Sequence, residues 1–173
     1  MELPALPVLA MMAGWEALAR VAQFALRRLP PSVIVKSAEA KPAKLSPREK
    51  LVRIGPSYAV AFVHAVLTAV RGSIHVVALL RAPPAAQLAI PAAHDDAWYA
   101  AAEATTSTNL LFFSYLAYDL VHVIADYPLQ GGVDTIAHHA GFMAASLVCG
   151  LHRILPFPFG WLLVGEVSSI PVH

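Results

Sequence analysis

The chain has 173 residues, 58% of them hydrophobic and only 13% charged, with a mean hydropathy of +0.61. A soluble domain carries about 25% charged residues, so much of this surface must meet lipid. A formal net charge of +1 gives no reason to expect nucleic acid, and the single Cys149 excludes an intramolecular disulfide and any multi-cysteine metal site.

The first apolar stretch runs from Leu3 to Trp15, with no basic residue before it. It lacks the charged start of a cleaved leader and is expected to stay as a first membrane helix within residues 1–29. Glu16 and Arg20 interrupt it, so it counts as a partial span. Residues 30–53 follow as a basic connector. Eight of the 12 Lys and Arg lie between Arg27 and Arg53, against two acids, Glu39 and Glu49. Loops rich in Lys and Arg stay in the cytosol, which sets this end of the molecule as cytosolic.

A membrane helix needs about 20 mostly apolar residues. Ile54–Leu80 supplies a second span, with Arg71 as its only full charge. Arg81–Thr106 reads as a loop, from Pro83, Pro84, Pro91 and the acidic pair Asp95 and Asp96, with a short helix near Trp98–Thr105. Thr105–Ile124 is a third span holding one charge, Asp119. Asp126–Asp134, with Pro128 and Gly131-Gly132, is a tight return turn. Thr135–Leu151 holds no Lys, Arg, Asp or Glu and is a fourth span. Pro156 and Pro158 break any helix arriving from it, and Phe159–Val164 is a short apolar remainder. The expected fold is all-α, a multi-span transmembrane helix bundle of roughly 4–5 membrane segments.

Residues at i, i+4, i+7 and i+11 share one helical face. His64, Thr68, Arg71 and His75 have that spacing, as do Tyr115, Asp119, His122 and Asp126. His138 or His139 leads a third face through Phe142 or Met143 to Ser146. Glu166, Ser169 and His173 form a shorter one. An Asp or Arg facing lipid at a helix centre costs roughly 2.5–3.5 kcal/mol. The stripes are therefore expected to converge inside the bundle, with Asp119 paired to Arg71 or to a histidine. Candidate ligand-binding residues are His64, Arg71, Tyr115, Asp119, His122, Asp134, His138, His139 and Glu166. A purely structural ion pair and interhelical hydrogen bonds are the plainer alternative.

Four segments resemble the TLC domain, the lipid-handling membrane domain shared with ceramide synthases. Ser57–Ala65 (SYAVAFVHA) is similar to its early S-x-x-H-A element, with Ser and His further apart. Ser114–Asp119 (SYLAYD) resembles its GYFxYD element, with Ser114 at the Gly position. Asp134 before His138-His139 resembles the family signature of an acid preceding a double histidine. Gly165–Pro171 (GEVSSIP) resembles E-x-S-T-P, with Ser169 in place of Thr. The resemblance spans residues 54–173 and implies a partial domain, since TLC domains continue through further helices. Ceramide synthases extend the signature to H-H-x-x-T, where this chain has Phe142. They also carry two acids where it has only Glu166.

The resemblance implies a protein of the small, non-synthase TLC type in the endoplasmic reticulum or a related membrane. Such a protein binds, senses or traffics membrane lipid and takes no cofactor or metal. The alternative is N-acyl transfer from acyl-CoA, as substrate, to a sphingoid-type amine. His138 or His139 would then be base or acyl carrier, with Asp119 orienting it. A third reading uses His64 and His138 as haem or metal ligands on facing helices. Oligomeric state is not legible.

Overall fold

The computed structural model describes residues 5–30, 46–81, 96–152 and 156–165. These form five helices: α1 (Ala5–Arg28), α2 (Pro47–Leu80), α3 (Asp96–Ala125), α4 (Val133–His152) and α5 (Pro156–Gly165). Among the described residues there is no strand, as expected for an all-α chain. Three helices are long and apolar enough to cross a membrane: Ala5–Arg28, Arg48–Leu80 and Thr105–Ala125. That is fewer than the 4–5 expected. The first of them is the helix whose charges had marked it as a partial span.

Local chemistry sets the helix ends. Ser46 caps α2. Its Oγ accepts from the Glu49 N–H, while the Glu49 carboxylate accepts from the Ser46 N–H at 2.8 Å. Pro47 fills the first helical position, where no N–H is needed. The connector therefore becomes helix seven residues earlier than Ile54. Residues 96–106 also differ from expectation. The short helix expected near Trp98–Thr105 is continuous with the third span and starts α3 at Asp96, because an alanine-rich run with high helix propensity follows it. Residues 126–132 make the expected return turn, and α4 ends before Pro156 starts α5.

α3 is the central helix, packing against α1, α2, α4 and α5. α1 offers Val8, Trp15 and Ala19 on one face. Trp15, Val60, Phe112, Tyr115, Leu116, Tyr118 and Leu163 form the buried cluster where α1, α2, α3 and α5 meet. The opposite face of α2 exposes Phe62, Val66, Val70, Ile74 and Val77, the stripe that lipid would cover. α5 docks closely on α2. A Cβ built on Gly72 would lie 2.8 Å from the Leu163 Cβ and 3.0 Å from the Gly160 carbonyl oxygen. Small residues allow such approach between membrane helices.

α2 and α3 run antiparallel in a fixed register. Arg53 pairs with Asp126. His64 follows Arg53 by 11 residues and stacks on Tyr115, which precedes Asp126 by 11. Arg71 follows Arg53 by 18 and bonds Thr108, which precedes Asp126 by 18. At 1.5 Å per residue these levels span about 27 Å, close to the thickness of a bilayer's hydrocarbon core.

Candidate functional site

Polar groups link the helices at each of these levels. Farthest from the basic end, the Arg71 guanidinium donates to Thr108 Oγ1 (2.7 Å) and Ser107 Oγ (2.6 Å), and His75 Nε2 shares Thr108 Oγ1 at 2.8 Å. At a nearby depth Asn109 and Ser146 join α3 to α4. Asn109 Nδ2 donates to the Ser146 carbonyl at 2.9 Å, and Ser146 Oγ donates to Asn109 Oδ1 at 2.5 Å.

The middle level centres on His64, which is 1% exposed. Its ring lies 3.7 Å from that of Tyr115, nearly parallel, with Phe112 stacked at 5.7 Å and Trp15 edge-on at 6.0 Å. Trp15 Nε1 donates to Ser114 Oγ at 3.1 Å, and Ser114 Oγ donates to the Leu111 carbonyl. His64 Nε2 is buried without a hydrogen-bond partner. His139 lies within electrostatic reach of it.

One level nearer the basic end, Asp119 Oδ2 and His139 Nε2 are 2.9 Å apart, with side chains 13% and 11% exposed. His139 Nδ1 lies 2.9 Å from the Thr135 carbonyl oxygen. A carbonyl only accepts, so Nδ1 carries hydrogen. The Asp119–His139 contact then holds one further proton, on the carboxyl or on Nε2. Both ring nitrogens of His139 are thus engaged. His138 points elsewhere. It is exposed, with its ring against Phe142 at 4.4 Å. The histidine partner of Asp119 is therefore His139, and neither Arg71 nor His138 occupies that place. Arg71 sits about 17 Å deeper along the bundle, from the 11 residues between Thr108 and Asp119.

At the basic end α1, α2, α3 and the 126–132 turn line a half-open cavity of about 180 Å³, well above the roughly 10–15 Å³ that one water requires. Its wall carries charge of both signs. Glu16 accepts from Arg20 Nε at 2.6 Å on Oε1 and from His122 Nε2 at 3.2 Å on Oε2. Arg53 donates to Asp126 Oδ1 at 2.5 Å, and Gln130 donates to Oδ2 at 2.8 Å. The Arg53 guanidinium holds the Asp126 carboxyl below its ordinary range. Pro56 also lines the cavity; it lacks an N–H, so the Val52 carbonyl loses its usual helical donor.

The structure brings His64, Tyr115, Asp119 and His139 together and places His122 with Glu16 beside the cavity. Asp134 is exposed in the first turn of α4. Glu166, with Ser169 and His173, lies outside the described residues. His64 is buried while His138 is exposed, so these two histidines do not share one enclosed space. Among the described residues no three His, Cys, Asp or Glu side chains gather as a metal site. Glu16 and Arg20 were legible only as interruptions of a span. Their spacing of four, at the depth of His122, was the signal for a polar wall. The chain matches no protein-family model, no curated protein and no solved structure.

Proposed function

We propose that this polytopic membrane protein binds, senses or moves lipid by taking a polar headgroup into the bundle from its basic end. The observation that carries this reading is the 180 Å³ cavity with both acids and bases in its wall. Ionisable residues inside a membrane bundle mark ligand or ion paths far more often than decoration. Arg20 and Arg53 suit a phosphate, and Glu16 and Asp126 suit an amine. A headgroup carrying both groups would find complementary charge at one depth, with its chains along the apolar faces of α1 and α2. The resemblance of the 57–65, 114–119, 134–139 and 165–171 segments to small TLC-domain proteins supports the same class. It also supports residence in the endoplasmic reticulum or a related membrane. The test is mass spectrometry of lipid retained by the purified full chain. Parent protein is expected to retain one headgroup class, and Glu16→Gln with His122→Gln to lose it. Equal retention by parent and variant would sink the reading.

N-acyl transfer to a sphingoid-type amine is the second reading, favoured by the Asp119–His139–Thr135 arrangement. His139 has no free ring nitrogen, so it positions; His138, which no described group engages by hydrogen bond, would be the base. It would take the proton of the attacking amine as the thiolate of acyl-CoA leaves. Acyl transfer by the parent chain with acyl-CoA and sphingoid base supplied, abolished in His138→Ala, is the expected result. No transfer by the parent would falsify this alternative and leave lipid binding standing.

A further inference from the structure

Outside the headgroup cavity, the basic end carries a second and larger opening of about 540 Å³ between the end of α1 and the start of α2. Arg27, Arg48 and Arg53 line it, with Gln23 and Val52 between them. Close helix approach creates it. A Cβ on Gly55 would lie 2.7 Å from Leu26 Cδ1, so glycine here lets the Leu26 side chain pack against α2, and Arg27 comes to the same groove as Arg53. Three like charges held together repel one another. The carboxylate in the groove, Glu49, is already bonded to the Ser46 N–H in the helix cap. Arg53 is shared with Asp126. Arg27 and Arg48 are exposed and have no ion pair or hydrogen bond to any described residue.

Depth fixes what such a groove meets. Arg53 stands immediately before the apolar run that begins at Ile54, and α1 ends at Arg28. α2 as a whole is about 51 Å long, more than a hydrocarbon core of about 30 Å needs. Its first turns therefore emerge among headgroups. We infer that the groove formed by Arg27, Arg48 and Arg53 is a binding site for the phosphate of an anionic phospholipid in the adjoining leaflet. Guanidinium forks match phosphate oxygens in pairs. Val52 in the groove wall offers apolar surface to the first carbons of the chains. Because Arg53 also forms one wall of the headgroup cavity, an anion in the groove competes with Asp126 for it. Occupancy of the outer site thereby loosens the ion pair between the two openings. The outer site does not depend on the inner cavity holding a lipid.

The experiment is native mass spectrometry of the full chain in detergent, titrated with dioleoyl phosphatidylglycerol or with dioleoyl phosphatidylcholine. Phosphatidylglycerol is expected to bind in preference. A basic side chain near the headgroups contributes roughly a fivefold change in affinity. Arg27→Gln with Arg48→Gln should therefore weaken phosphatidylglycerol about twenty-five-fold, while Arg81→Gln, beyond the far end of α2, should leave it unchanged. Equal binding of the two lipids, or an unaltered double variant, overturns the site. Displacement of phosphatidylglycerol by millimolar inorganic phosphate overturns the lipid assignment in favour of a free anion. Glu16→Gln with His122→Gln separates the two readings, since it removes inner-cavity lipid and leaves phosphatidylglycerol in the groove.

Discussion

Replacing Asp119 by leucine removes one side of a contact that is nearly closed to solvent, its partners being 13% and 11% exposed. Two costs compete. Stranding a charged His139 in the bundle would cost about 3–5 kcal/mol, the loss seen on breaking a buried pair. His139 has a cheaper course, because its Nδ1–H is already bonded to the Thr135 carbonyl and the neutral ring leaves only Nε2 without a partner. An unsatisfied buried acceptor costs about 1–3 kcal/mol, and that range is the expected destabilisation of Asp119→Leu. Asp119→Asn keeps an N–H to donate to Nε2 and should lose less than about 1 kcal/mol. Val121→Leu, at an exposed position two residues on, should stay within about 0.5 kcal/mol of the parent. Removing both partners, in Asp119→Leu with His139→Leu, should recover much of the loss, because no polar atom of the pair is then stranded. Equilibrium unfolding in mixed micelles measures all four. If Asp119→Leu is as stable as the parent, the contact is not a buried, proton-sharing pair, and the argument for a polar interior at this level fails.

Gly72→Val should destabilise by about 1–3 kcal/mol, the usual cost of overpacking, because its side chain must push Leu163 and the Gly160 backbone away. Gly141→Ala, with open space around its Cβ, should be neutral or stabilising by up to about 1 kcal/mol; the same unfolding titration tests both. The depressed Asp126 carboxyl stabilises the fold above its unfolded range, near pH 4, and that contribution is lost as pH falls through the lower folded value. Thermal unfolding at pH 7 and pH 3 should show a smaller acid loss in Asp126→Asn than in the parent, and equal losses would refute the Arg53–Asp126 linkage.

Helical class, the return turn and the break before Pro156 follow from local chemistry and were legible as such. So was the inward face of each span, because a 3.6-residue period fixes direction around a helix. Period says nothing of depth, and depth decides partners. Arg71 and Asp119 each lie on an inward stripe, yet the antiparallel register puts them about 17 Å apart along the axis. The Arg53–Asp126 pair would have supplied that register, since the two residues flank the apolar runs of neighbouring spans. The Ser46-Pro47-Arg48-Glu49 cap was also present in the sequence as a capping-box pattern. Its charges and proline made it resemble connector. The helix near Trp98–Thr105 was read as separate from the third span, although its alanine-rich run continues into that span without a proline or glycine to break it. The cavity at the basic end depends on Glu16 and His122, 106 residues apart, and no local pattern joins them.

Two polar joints inside the bundle, Asp119 with His139 and Asn109 with Ser146, have a shared property: each links α3 to α4, and neither calls on α1 or α2. A helix pair leaving the insertion machinery must satisfy its polar groups with whatever has arrived, since hydrocarbon offers them nothing. Here the hairpin of residues 96–152 carries both halves of each joint across a seven-residue turn. It is therefore a self-neutralised unit, its acid already matched by its histidine. His64 and Arg71 belong to a helix made earlier, and their partners on α3 come only with that hairpin. The α3–α4 hairpin thus carries its own polar pairing, while the polar groups of α2 are answered only across helices.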